Sequence, residues 1–161
     1  LTDNAIPCPI VEDGVAYCMT GYQGFSVLAV PISGKGDQSE NILWRGNLGT
    51  PYVPSAVLYD GLLYFTQSNQ AILSCVDAKT GKVLMERTRI KGLSNVYASL
   101  AGAGNHVYVF GRYGKTAVIK RTGKFDLAAT NTLADRFDAS PALAGDQLFL
   151  RGHRFLYCIA K

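Results

Sequence analysis

Four turn pairs punctuate the chain. Asp13-Gly14, Asp60-Gly61, Gly104-Asn105 and Gly145-Asp146 stand 47, 44 and 41 residues apart, and each dipeptide suits the positive φ of a two-residue hairpin loop. Around them lie short runs rich in Val, Leu, Tyr and Phe, and no stretch carries a sustained helical apolar period, so the chain reads as all-β. Aligning the turns brings other residues into register. The third residue after each pair is aromatic (Tyr17, Tyr64, Tyr108, Phe149), and the fifth before it is small and polar (Cys8, Ser55, Ser99, Ser140). Between them, Pro9-Ile10-Val11, Ala56-Val57-Leu58, Leu100-Ala101 and Pro141-Ala142-Leu143 are small and apolar, as inner strands crowded around a common axis require.

A period of about 40–45 residues carrying four short strands describes a β-propeller blade. The expected blades cover roughly 7–47, 54–91, 98–134 and 139–161 of one partial propeller spanning 1–161. In the second, strands A to D are expected at 55–59, 62–67, 71–76 and 83–89, with Asp77-Ala78-Lys79-Thr80-Gly81-Lys82 turning from C to D. The third echoes that turn as Arg121-Thr122-Gly123-Lys124, and the first replaces it with a longer loop, 33–40.

Composition narrows the class further. Of 161 residues, 48% are hydrophobic and 17% charged, enough for an ordinary core and against disorder. No apolar run approaches the roughly 20 residues of a membrane span. The net charge of +4 is spread along the chain without blocks or Lys/Arg clusters among aromatics, so a nucleic-acid partner is not expected.

At the second C–D turn, Cys75-x-Asp77-x-x-Thr80-Gly81-Lys82-x-x-Met85 resembles the quinoprotein-type repeat Ala-x-Asp-x-x-Thr-Gly-x-x-x-Trp, whose Trp docks on the neighbouring blade. Trp44 keeps that residue in the first repeat, while Met85 and Leu127 replace it as apolar plugs in the second and third. The end of the chain, Leu150 to Ile159, is also similar to the C-terminus of bacterial members. The whole chain thus resembles PQQ-like β-propeller repeat proteins, in particular the outer-membrane assembly lipoprotein type. That resemblance implies a non-catalytic binding or assembly scaffold with a protein partner, periplasmic or secreted. Two alternatives are a PQQ-dependent quinoprotein dehydrogenase and a carbohydrate-associated binding propeller. Against the dehydrogenase stand the lack of an adjacent Cys pair and of an evident Glu/Asn/Asp set for calcium. No cofactor and no metal site are therefore expected.

The four cysteines show no metal-ligand spacing. The repeat places Cys8 where Ser stands elsewhere, and Cys75 and Cys158 at matching strand C positions, where Ala117 stands in the third repeat. Cys8 and Cys18 would point to opposite faces of one hairpin. All four are expected to be free, buried thiols. The aromatics Tyr17, Tyr64, Tyr108 and Phe149 are expected in the blade core.

Strand counting gives four strands in each of three repeats and three in the last. Residues 1–6 align with the loop 133–138 and not with a strand D, so nothing here fastens the ring. With a start at Leu1 instead of Met, three solutions are expected: the C-terminal half of a larger propeller, a homodimeric eight-bladed ring, or an irregular four-bladed ring. Function is expected on the face formed by B–C turns and D–A loops. That face carries Tyr52, Tyr97, Arg112, Tyr113, Arg136, Asp138, His153 and Arg154. Convergence of Arg112, Arg136, His153 and Arg154 there would suit a carboxylate or sulfate. No recognisable nucleophile accompanies His153 and Asp138 as an acid/base pair.

Overall fold

In the computed structural model, which describes residues 1–160, each turn pair closes a hairpin with its own geometry. Asp13 and Gly14 have φ of 49° and 77°, and Asp60 and Gly61 have 54° and 72°; both central residues are left-handed, as in type I′ turns. The last two pairs begin with Gly104 (56°) and Gly145 (59°), and only that first residue is left-handed, as in type II′. The chain then winds as four antiparallel meanders. Sheet I holds β1 (Ile10–Glu12), β2 (Val15–Thr20), β3 (Ser26–Pro31) and β4 (Trp44–Gly46). Sheet II holds β5 (Val57–Tyr59), β6 (Leu62–Thr66), β7 (Ile72–Asp77) and β8 (Val83–Arg89). Sheet III holds β9 (Ala101–Ala103), β10 (His106–Phe110), β11 (Lys115–Lys120) and β12 (Leu127–Thr132). Sheet IV holds β13 (Ala142–Ala144), β14 (Gln147–Arg151) and β15 (Leu156–Ile159). This is an all-β propeller fold, with the fourth blade one strand short among the described residues.

The period-long recurrence of Ser has a physical cause. The Cys8 N–H donates to Ser55 Oγ (3.0 Å), the Ser55 N–H to Ser99 Oγ (3.0 Å) and the Ser99 N–H to Ser140 Oγ (3.1 Å). Each blade's innermost backbone is thereby tied to the next blade's hydroxyl. Outside this ladder, three apolar cores lie between successive blades. Tyr17, Met19, Ala29, Leu63, Phe65 and Ala78 pack between I and II, and Tyr64, Leu73, Met85, Val107 and Ile119 between II and III. A smaller core, built around Phe110, Phe137 and Leu150, joins III to IV.

Trp44 docks as the repeat implies. Its Nε1–H donates to the Ala78 carbonyl (2.8 Å), and its indole lies over Gly81, where a Cβ would come within 2.7 Å of the ring. Gly81 also sits at φ 71°, so this turn needs glycine twice over. The turn itself is held by Asp77 Oδ1, which accepts from the Thr80 N–H (2.8 Å) and hydroxyl (2.6 Å). From blade II, the Tyr64 hydroxyl accepts the Gly123 N–H (3.0 Å) of the next blade's turn.

Four expectations need correction. The third plug is not Leu127: an irregular register in sheet III pairs Val118 with Ala129 and Ile119 with Leu127, which puts Ala129 where Trp44 and Met85 stand. The same register pairs Tyr108 with Val118, so Val118, and not Ala117, matches Cys75 and Cys158. The cysteines are all free, but only Cys75 is buried; Cys18 is half-buried and Cys8 and Cys158 are exposed. Cys8 and Cys158 lie in the two end blades, each of which has a neighbour on one side only. Tyr17 and Tyr64 are buried as expected, whereas Tyr108 and Phe149 are half-buried: Tyr108 lines the loose contact between sheets III and IV, and Phe149, on the other face of β14, has no following blade among the described residues. Between those two sheets runs a cleft of about 860 Å³, at the interface whose plug is a methyl group.

Among the described residues, no hydrogen bond or shared core links sheet I to sheet IV. Residues 1–6 form no strand; Thr2 bonds to Thr20 Oγ1 through its N–H (3.0 Å) and hydroxyl (2.7 Å). Val11 is 56% exposed on sheet I, and Leu143 and Leu156 are 44% and 66% exposed on sheet IV.

Candidate functional site

The B–C turns and D–A loops meet on one face because successive strands alternate in direction. Backbone bonds stitch them together: the Ser68 N–H donates to the Thr50 carbonyl (2.8 Å), that of Arg112 to Asn95 (2.8 Å) and that of His153 to Arg136 (3.0 Å). Equivalent positions of successive blades therefore deliver side chains to equivalent places. The expected set separates into three groups.

Tyr52 stands apart from the basic residues. It stacks on Tyr22 with ring centroids 4.9 Å apart, and its hydroxyl accepts from Asn4 Nδ2 (3.1 Å).

A second group forms a chain across blades III and IV. The Arg112 guanidinium carbon lies 4.5 Å from the Tyr97 ring centroid, and Arg112 Nη2 donates to Asp138 Oδ2 (3.0 Å). Nε stands 2.9 Å from Oδ1, within ion-pair reach though not aligned as a hydrogen bond. His153 Nε2 lies 3.1 Å from the same Oδ2. Asp138 is thus shared by two potential cations and neutralises Arg112. The four arginine and histidine side chains expected to converge on an anion do not act alike, since Arg112 already has its carboxylate.

The third group surrounds Asp135, which residue type alone does not single out. Its side chain is only 2% exposed. It accepts from the N–H groups of Arg136 (2.8 Å), Arg154 (3.1 Å) and Phe155 (3.2 Å) and from the Tyr157 hydroxyl (3.2 Å). Burial alone would raise this carboxyl, but the four donors outweigh it and hold Asp135 below the usual carboxylate range. Burial, followed by the charge of Asp135, pushes Tyr157 up. Gly152 makes this possible, because a Cβ there would lie 2.3 Å from Asp135 Oδ2. A D–A loop carboxylate followed two blade strands later by Gly-x-x-aromatic was the available signal, and only the fold makes it legible.

Over Asp135 the Arg136 guanidinium lies 5.3 Å from the Tyr113 ring centroid, and that of Arg154 lies 5.5 Å from Phe155. Arg154 Nη2 also donates to the Ala134 carbonyl. Tyr113, Ala134, Asp135, Arg136, His153 and Arg154 line an open depression of about 500 Å³. Chemically, it presents cationic hydrogen-bond donors beside aromatic faces and no nucleophile.

The residues also bear on the quinone alternative. Among the described residues, no group of three or more His, Cys, Asp or Glu is placed to hold a metal ion. The single Trp is committed to the Ala78 carbonyl. These residues do not fit a cradle for a quinone and calcium, and no step is derived through one.

The chain matches no family model and no curated protein sequence. Its likeness is to solved structures. It is similar to BamB from Moraxella catarrhalis (12% identity, TM-score 0.73), covering 94% of this chain and 41% of that one. It is similar to the computationally designed Ika4 protein (12% identity, TM-score 0.74), covering 99% and 93%. It is similar to a europium-containing methanol dehydrogenase (17% identity, TM-score 0.61), covering 77% and 24%. At these identities the likeness is one of fold, a β-propeller. The chain spans less than half of the BamB chain and nearly all of Ika4. No helix is long and apolar enough to cross a membrane.

Proposed function

We propose that this chain is a four-blade segment of a non-catalytic β-propeller that serves as a binding and assembly scaffold outside the cytoplasm, its ring completed by further blades. The observation that carries this reading is the pair of unpartnered end faces. The Ser ladder that ties blade to blade leaves the Ser140 N–H at one end and the Cys8 side chain at the other without a successor. Exposed Val11 and Leu156 flank those ends among the described residues, and uncovered apolar faces of this kind mark interaction surfaces. The rest of a larger propeller is the leading source of further blades, with a second copy of this chain next. The extracytoplasmic assignment rests on the family resemblance of the repeat.

The non-catalytic part is tested by adding PQQ with calcium and following absorbance, thermal shift and dye reduction with alcohols and sugars. No shift and no reduction are expected; a shift accompanied by substrate-dependent reduction overturns it.

A further inference from the structure

Among the described residues, the depression over Asp135 holds one cation without a counter-charge, Arg136, and a second, Arg154, that reaches one only at the limit of ion-pair range. Asp135 itself spends its oxygens on three backbone N–H groups and the Tyr157 hydroxyl, and Arg154 Nε comes no nearer to it than 3.9 Å. No carboxylate pairs with Arg136 among the described residues. The contrast with Arg112, which is ion-paired to Asp138 at 2.9 Å, is sharp. Both guanidinium groups lie over aromatic residues, Arg136 over Tyr113 and Arg154 over Phe155, and both aromatic residues are 56% exposed. A guanidinium over a ring can still offer N–H groups to a carboxylate: Arg136 spends none on another side chain or carbonyl among the described residues, and Arg154 keeps those not bonded to the Ala134 carbonyl. His153 also lines the rim, with its Nε2 facing Asp138.

We infer that this depression binds an acidic peptide segment of a partner protein, with Arg136 and Arg154 each receiving a side-chain carboxylate. Deepening the scaffold reading, it rests on that reading for the nature of the partner. Three features favour a peptide. The depression is open and shallow, suited to side chains of an extended segment. Its lining includes Tyr113, Arg136 and Arg154, residue types enriched in protein-binding hot spots. The two forks come from different segments, the D–A loop and the B–C turn, so successive carboxylates along a chain can each find one.

The test is fluorescence anisotropy of the whole chain with a labelled ten-residue Asp/Glu-rich peptide and its Asn/Gln twin. The acidic peptide should bind in a salt-sensitive manner, and the amide twin should not. Arg136→Gln should weaken binding about tenfold, the loss of one charge-assisted pair, and Arg136→Lys by less. Adding Arg154→Gln should weaken it further, and Lys79→Gln on the opposite face should leave it unchanged. Among the described residues Arg136 makes no side-chain hydrogen bond and its guanidinium lies over the exposed Tyr113, so its replacement reports on binding even where Arg154→Gln disturbs the turn. Equal binding of the amide twin, or full affinity in Arg136→Gln, overturns the inference. So does displacement of the peptide by inorganic phosphate or a sulfated oligosaccharide at lower concentration than unlabelled peptide. Failure here with association still seen by light scattering removes only this site, whereas a monodisperse monomer that still binds the peptide removes only the ring-completion reading.

Discussion

Replacing Trp44 with Phe isolates one contact between blades. The indole N–H donates to the Ala78 carbonyl at 2.8 Å, and Ala78 is 4% exposed, so water cannot easily take the place of the lost donor. Removing a partner from a buried polar group costs about 1–3 kcal/mol. The Phe ring still covers Gly81, so most of the packing survives and a total near 2 kcal/mol is expected. For a chain of this size about 1 kcal/mol moves Tm by roughly 2–4 °C, so Trp44→Phe should melt about 4–8 °C lower. Circular dichroism is the appropriate probe, because Trp44 is the only Trp and the variant loses that fluorescence. Trp44→Ala should cost more, about 3 kcal/mol, because the ring's burial is lost as well. A Trp44→Phe melt within 1 °C of the parent would refute the assignment of Trp44 as a hydrogen-bonded plug.

The same geometry sets further outcomes. Gly81→Ala places a methyl within 2.7 Å of the indole at φ 71° and should destabilise by about 2–3 kcal/mol in urea unfolding. Thiol labelling should modify Cys8 and Cys158 quickly and Cys18 more slowly. Cys75, buried and pushed up to about 12, should react only on unfolding; fast reaction of Cys75 would contradict the packing between blades II and III. The Asp135 carboxyl lies below its ordinary 3.8, so its contribution is complete above that value and is lost as pH falls through the lower folded value. Acid titration of stability should therefore lose a component below about pH 4 that Asp135→Asn lacks.

Much of the architecture was legible because turn chemistry and strand alternation are local. Asp-Gly and Gly-Asn pairs need left-handed φ, and that requirement alone located every A–B hairpin. The Ser period was visible, but its meaning was not, since a hydrogen bond between residues 44 apart, as from Ser55 to Ser99, leaves no local trace. Leu127 was misplaced for a related reason: one residue separates Gly81 from Val83 but three separate Gly123 from the equivalent Leu127, so counting from the glycine stops two places short of Ala129. At the face, residue type identified the arginines, while charge compensation did not follow from type. Arg112 and Arg136 look alike in sequence, and only the fold shows Asp138 against one and none against the other. Asp135 was missed because a carboxylate flanked by ordinary loop residues carries no motif.

The uncovered end faces are tested most directly by the mass of the isolated chain in solution, measured by light scattering over a range of concentrations. Association above the 17.4 kDa of one chain is predicted, with a mass near twice that value if a second copy supplies the missing blades. A monodisperse 17.4 kDa species at all concentrations, binding no apolar dye, would contradict the claim that these blades belong to a larger ring.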